Sequence, residues 1–200
     1  MQLIQKHLTV TVLGYLLTPE SMFLKEKEKN SLSTLTYYIV ITAAAVALLV
    51  LADIVSSGKF SLWRIGGTLY ILSICVLVTV VTLVLLHGLV TVIKKDSSIS
   101  NSFKPVFTGS AYYTAVIVIG NIPGLFMGTL AAEWLVRVPL GIIGAIIFLW
   151  IAPNGISVLH KISGPKAFII TIVSFFLANL AVYYIAMIHS VLFVSWGSIG

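Results

Sequence analysis

The chain has 200 residues, 59% of them hydrophobic and only 9% charged, against about 25% charged in a soluble domain, so a water-soluble globular fold is excluded and the bilayer is its solvent. The formal charge of +6 is spread over short connections rather than gathered in a stripe, which argues against a nucleic-acid partner. The single cysteine, Cys75, lies in an apolar run with no second thiol to pair with, so it argues neither for a disulfide framework nor for a cysteine-ligated metal.

Residues 3–17 are apolar, too short to span and interrupted by Lys6 and His7, which predicts a helix lying in the membrane interface. They lack a small-residue cleavage pattern, so they do not read as a removable signal peptide. Thr18, Pro19 and Glu20 stand in the order N-cap, first-turn proline, early acidic residue, and predict a second short helix. The alternating run Lys25 to Lys29 has to stay at a membrane surface. Residues 1–32 are therefore expected to form a cytoplasmic, interfacial segment ahead of a transmembrane domain over 33–197.

Five spans are predicted, at about 35–55, 65–93, 106–130, 136–159 and 167–194, each at or beyond the roughly 20 residues a bilayer needs. Pro105 is expected in the first turn of span three. The stretch Gly120-Asn121-Ile122-Pro123-Gly124 should break that span, and Pro153-Asn154-Gly155 should interrupt span four. The fold class that follows is an all-α integral membrane protein, a five-helix bundle with an N-terminal interfacial helix. Nine of the twelve Lys and Arg residues fall on the N-terminal side of this scheme and three (Lys59, Arg64, Arg137) on the other. The positive-inside rule then makes the N-terminus cytoplasmic and the C-terminus external, in a multi-pass protein of the cell membrane.

Polar groups inside a span mark candidate sites. Asp53, Glu133 and Arg137 fall at the outer ends, the last two spaced as a helical ion pair. Asn179 and His189 lie in span five. His87 and His160 fall at similar depth toward the cytoplasmic ends of spans two and four, where two imidazoles could titrate or bind a divalent metal. No HxxxH, HExxH or neighbouring carboxylate accompanies them, so no metal and no cofactor are expected. Motifs for nucleophilic or phosphate chemistry are missing too, which argues against an enzyme and leaves no catalytic residue to name. Gly120, Gly124, Gly141 and Gly144 fit helix packing, and the pairs Tyr112-Tyr113 and Tyr183-Tyr184 fit anchoring or packing.

Pro19 and Phe23 before span one, His87-Gly88 at the end of span two, Ser102-Phe103 and Ala111-Tyr112 opening span three, and Ser157 to His160 before Lys166-Ala167 give a layout that resembles the Yip-type (Ypt-interacting protein) domain family over about residues 14–185. The first proline after Ala111-Tyr112 is Pro123, later than the family pattern. The long N-terminal extension of eukaryotic members, associated with Rab-type GTPases, is not present here, so that partner is not implied. The chain looks more like archaeal or bacterial members. The expected function is a non-enzymatic membrane organiser or scaffold. Its cytoplasmic surface would offer Lys25, Lys27, Lys29, Lys94, Lys95 and Lys104 to anionic headgroups or a protein partner, with homo-oligomers a further form of assembly. The alternative is a small-solute or ion transporter whose broken spans line a polar cavity with His87, Asn121, Asn154 and His160.

Overall fold

A computed structural model describes residues 11–26, 31–58, 62–95, 97–126 and 133–197, apart from the side chains of 26, 31, 57, 62–65, 124, 133–134 and 189–197. Apart from short connections the described residues are helical, with no strand among them. The helices are α1 (11–17), α2 (Pro19–Glu26), α3 (Ser31–Ser57), α4 (Leu62–Ile93), α5 (Ile99–Ile119), α6 (Val138–His160) and α7 (Gly164–Gly197). A 3-10 turn, Pro123–Leu125, follows α5, and a π turn, Glu133–Arg137, leads into α6. Four segments are long and apolar enough to cross a membrane: Leu32–Ser56, Gly66–Ile93, Leu135–His160 and Gly164–Ile188.

α5 is not among those four, and its packing gives the reason. It lies against α3, α4 and α6, most extensively against α6, and buries Ser102, Thr108, Ser110 and Thr114. Small hydroxyl residues that would weaken a lipid-facing helix are accommodated where every face meets another helix. α7 closes the arrangement against α4 and α6.

Successive helices alternate in direction. Tyr38 on α3 meets Phe107 and Thr114 on α5, and Ala45 and Leu49 further along α3 meet Val118, so α3 and α5 run parallel. Gly155, Gly144 and Gly120 contact Pro105, Tyr113 and Leu140 in turn, which sets α5 and α6 antiparallel. Leu86 and Val90 cluster with Ile170 and Ala167, while Val78 clusters with Phe175 and Val182, so α4 and α7 are antiparallel as well.

Two proline expectations need correction. Pro105 lies inside α5, which starts at Ile99 rather than at the proline, and Pro153 lies inside an uninterrupted α6. Each costs one backbone hydrogen bond, and each is buried against neighbouring helices, where transmembrane helices tolerate proline. The break at Gly120 to Gly124 is present: α5 ends at Ile119 and the chain tightens into the 3-10 turn. Span three, expected to continue to about residue 130, therefore stops earlier, and residues 127–132 lie outside the described residues.

Candidate functional site

Three helix ends converge around Ser102. His87 belongs to α4, Ser102 to the first turn of α5, and His160 is the last residue of α6. The Ser102 hydroxyl oxygen lies 3.1 Å from His87 Nδ1 and 3.0 Å from His160 Nε2. Ser102 and His160 are buried, with 0% and 1% of their surface exposed. The imidazoles thus meet through a shared hydroxyl rather than directly, and the intermediary comes from a third helix.

The same place completes the C-terminus of α6, whose last carbonyls have no partner within the helix. The Lys94 ammonium donates to the His160 carbonyl at 2.6 Å, and the Asn101 amide donates to the Leu159 carbonyl at 3.3 Å. A cation there also complements the negative end of the helix dipole. Lys161 turns the chain in a left-handed conformation, φ 54°. Its N–H and that of Ile162 both go to the Ser157 carbonyl, while the Ser157 hydroxyl donates to the Ile162 carbonyl at 2.7 Å.

A second constellation holds the N-terminal segment on the flank of the spans. Tyr15 and Phe23 are buried with Tyr112, Ile151 and Leu159. The Tyr112 hydroxyl donates to the Val12 carbonyl at 2.8 Å and lies 2.6 Å from the Tyr37 hydroxyl. Trp150 donates its indole N–H to the Leu16 carbonyl at 2.9 Å. The Thr18 hydroxyl does not cap α2 as expected. It reaches back to the Gly14 carbonyl at 3.3 Å, and Ser21 bonds the Thr18 carbonyl. At the break between α1 and α2 the carbonyls of Gly14 and Leu16 are therefore occupied by protein donors, as an apolar setting favours.

The remaining expected residues do not join a common site. The Asn121 amide donates to the Ile117 carbonyl at 2.8 Å and the Asn154 amide to the Trp150 carbonyl at 2.6 Å, each within its own stretch of chain. His87 and His160 belong to the cluster above, so the four do not line one polar cavity. A cavity of about 180 Å³ between α4 and α7 is apolar and lined by Tyr70, Ile74, Leu77, Val182 and Ile185 among others, and by none of those four. No group of three or more metal-ligating side chains occurs among the described residues.

The expected basic surface divides. Lys25 and Lys95 are exposed, and Lys94 is turned toward α6. Lys104 is a correction: it is only 4% exposed, because α5 begins before it and carries it into the helix packing. Lys27 and Lys29 lie outside the described residues, as do the side chains of Glu133 and His189. Asp53 is buried rather than open to water. Asn179 accepts from the Tyr113 hydroxyl at 3.3 Å. Sequence reasoning passed over Ser102, Asn101 and Trp150 as functional positions. Their signal would have been a polar side chain on the first turn of a buried helix, for the first two, and an indole in mid-span needing an acceptor, for the third.

The sequence matches no family model, no curated protein and no solved structure.

Proposed function

We propose that this chain is a non-enzymatic membrane protein of Yip-like type that crosses the bilayer five times, N-terminus cytoplasmic and C-terminus external, and organises membrane or holds partners at its cytoplasmic face. Five crossings are supported by the alternating helix directions and by the length of α5, whose 21 residues extend about 32 Å against a hydrocarbon core of about 30 Å. The observation that carries the functional reading is the anchoring of residues 11–26 on α5 and α6 through Tyr15, Phe23, Tyr112 and Trp150. The segment held in this way runs along the flank of α5 and α6, from mid-span at Tyr112 and Trp150 to the bundle end where Phe23 meets Gly155. Two exposed lysines at that end, Lys25 and Lys95, favour anionic headgroups by about 1 kcal/mol each. Each of the asparagines that a transport path would use gives an amide N–H to its own backbone, which weighs against the transporter.

The test is lipid selection by the purified full-length chain in mixed vesicles, read by mass spectrometry of retained lipid. Anionic lipid is expected to be enriched over zwitterionic lipid, falling about fivefold for each of Lys25→Gln and Lys95→Gln. Equal retention of both lipids, together with solute flux in proteoliposomes that Asn154→Leu or Asn121→Leu abolishes, would replace the scaffold with a transporter.

A further inference from the structure

We propose that His87, Ser102 and His160 form a proton-sensitive clamp joining the ends of α4, α5 and α6. Both ring nitrogens approach one hydroxyl oxygen, at 3.1 and 3.0 Å, and a hydroxyl has a single hydrogen to give and room to accept two. With both rings neutral, one ring donates N–H to Ser102 Oγ, and the hydroxyl donates its hydrogen to the bare nitrogen of the other ring. One added proton leaves that line complete, because the charged ring donates and the neutral ring accepts. A second proton ends it: both rings then donate into the same oxygen, and the buried hydroxyl hydrogen loses its acceptor. Leaving a buried donor unsatisfied costs about 1–3 kcal/mol.

The surrounding charges push the same way. His160 faces His87 through the Ser102 hydroxyl, and the Lys94 ammonium is fixed on the His160 carbonyl. Lys95, Lys161 and Lys166 at this end are exposed. Lys104 is two residues from Ser102, which places it on another face of α5. α2, packed on α6, carries Glu20 and Lys25, both exposed, and Asp96 and the Glu26 side chain lie outside the described residues. Two imidazolium rings and an ammonium would thus share a part-buried corner in the folded chain, whereas the unfolded chain disperses the same charges in water. The sign follows: acidification that adds the second proton loosens this bundle end. The device operates at the cytoplasmic face whether the chain scaffolds or transports.

Hydrogen exchange of the full-length protein in nanodiscs, corrected for the intrinsic pH dependence of exchange, tests the clamp at residues 99–102 and 157–162. Between pH of about 7.5 and about 4.5, opening is expected to rise about tenfold, the effect of one pH unit of linkage. His87→Gln, which leaves one titratable ring, is expected to remove most of that rise. No rise in the wild-type chain, or an equal rise in His87→Gln, overturns the proposal. Because the substitution could itself loosen the site, ¹⁵N spectra of the wild-type histidines at neutral pH supply a second reading. One nitrogen of the facing pair should be protonated and the other bare, and Ser102→Ala should disturb both rings together. Two rings that behave as free imidazole, indifferent to Ser102→Ala, overturn it too.

Discussion

Gly155 is the point where three elements come closer than a side chain would allow. A Cβ there would lie 2.6 Å from Pro105 on α5 and 2.7 Å from the Phe23 ring on α2. Phe23 is buried and Pro105 is rigid, so neither can withdraw cheaply. Gly155→Ala is expected to destabilise the protein by about 1–3 kcal/mol through overpacking and to shift Phe23 out of its site. Thermal unfolding in detergent checks the first effect, and faster hydrogen exchange over residues 19–26 checks the second. Gly141, whose Cβ would meet nothing nearer than 3.7 Å, should accept alanine with little change. The sequence marks Gly141 for helix packing and Gly155 only as part of a break. What separates them is the arrival of Phe23 and Pro105 from 132 and 50 residues away in the chain, which no local pattern encodes. His87 and His160 are legible as a pair at similar depth, but the hydroxyl that joins them is 15 residues from one and 58 from the other.

At the scale of the elements, the fixed N-terminal segment depends on few polar contacts. Trp150→Phe keeps the ring and removes the indole N–H that holds the Leu16 carbonyl. The loss should be about 1 kcal/mol and should appear as faster hydrogen exchange over residues 11–18, with the exchange of α4 and α7 unchanged. Composition and hydropathy locate the long helices α3, α4, α6 and α7 well, since lipid-facing residues must be apolar and polar connections must leave the bilayer. The same reasoning misplaces the start of α5. Its first turn, Ile99 to Ser102, is polar and reads as loop, yet Ser102 and Asn101 spend their hydrogen bonds on α4 and α6, which lets the helix begin before Pro105. Lys104 is buried for the same reason. The helix breakers divide in a physical way. Gly120 and Gly124 flank a proline where Ile122 and Leu125 pack against Ala45 and Leu49 of α3, and the helix stops. Pro153 is held between packed neighbours, and the helix continues.

For the whole molecule, α5 decides the topology. Four helices are apolar enough to cross a membrane by composition alone, and four crossings would return the C-terminus to the side of the N-terminus. A fifth crossing by α5, with its hydroxyl residues buried among α3, α4 and α6, would put the termini on opposite sides, as proposed above. The charge bias of nine to three agrees with the odd number. The alternating directions of α3 to α7 supply the geometric counterpart, and they place the ends of α4 and α6 beside the start of α5, where the histidine clamp and the Lys94 cap both lie. The most direct measurement labels single cysteines at Gln2, Gly58, Lys95 and Gly200 with a membrane-impermeant thiol reagent, in a Cys75→Ala background, in intact cells and after permeabilisation. Five crossings predict that positions 58 and 200 react from outside and that 2 and 95 react only after permeabilisation. Labelling of positions 2 and 200 from the same side would contradict it.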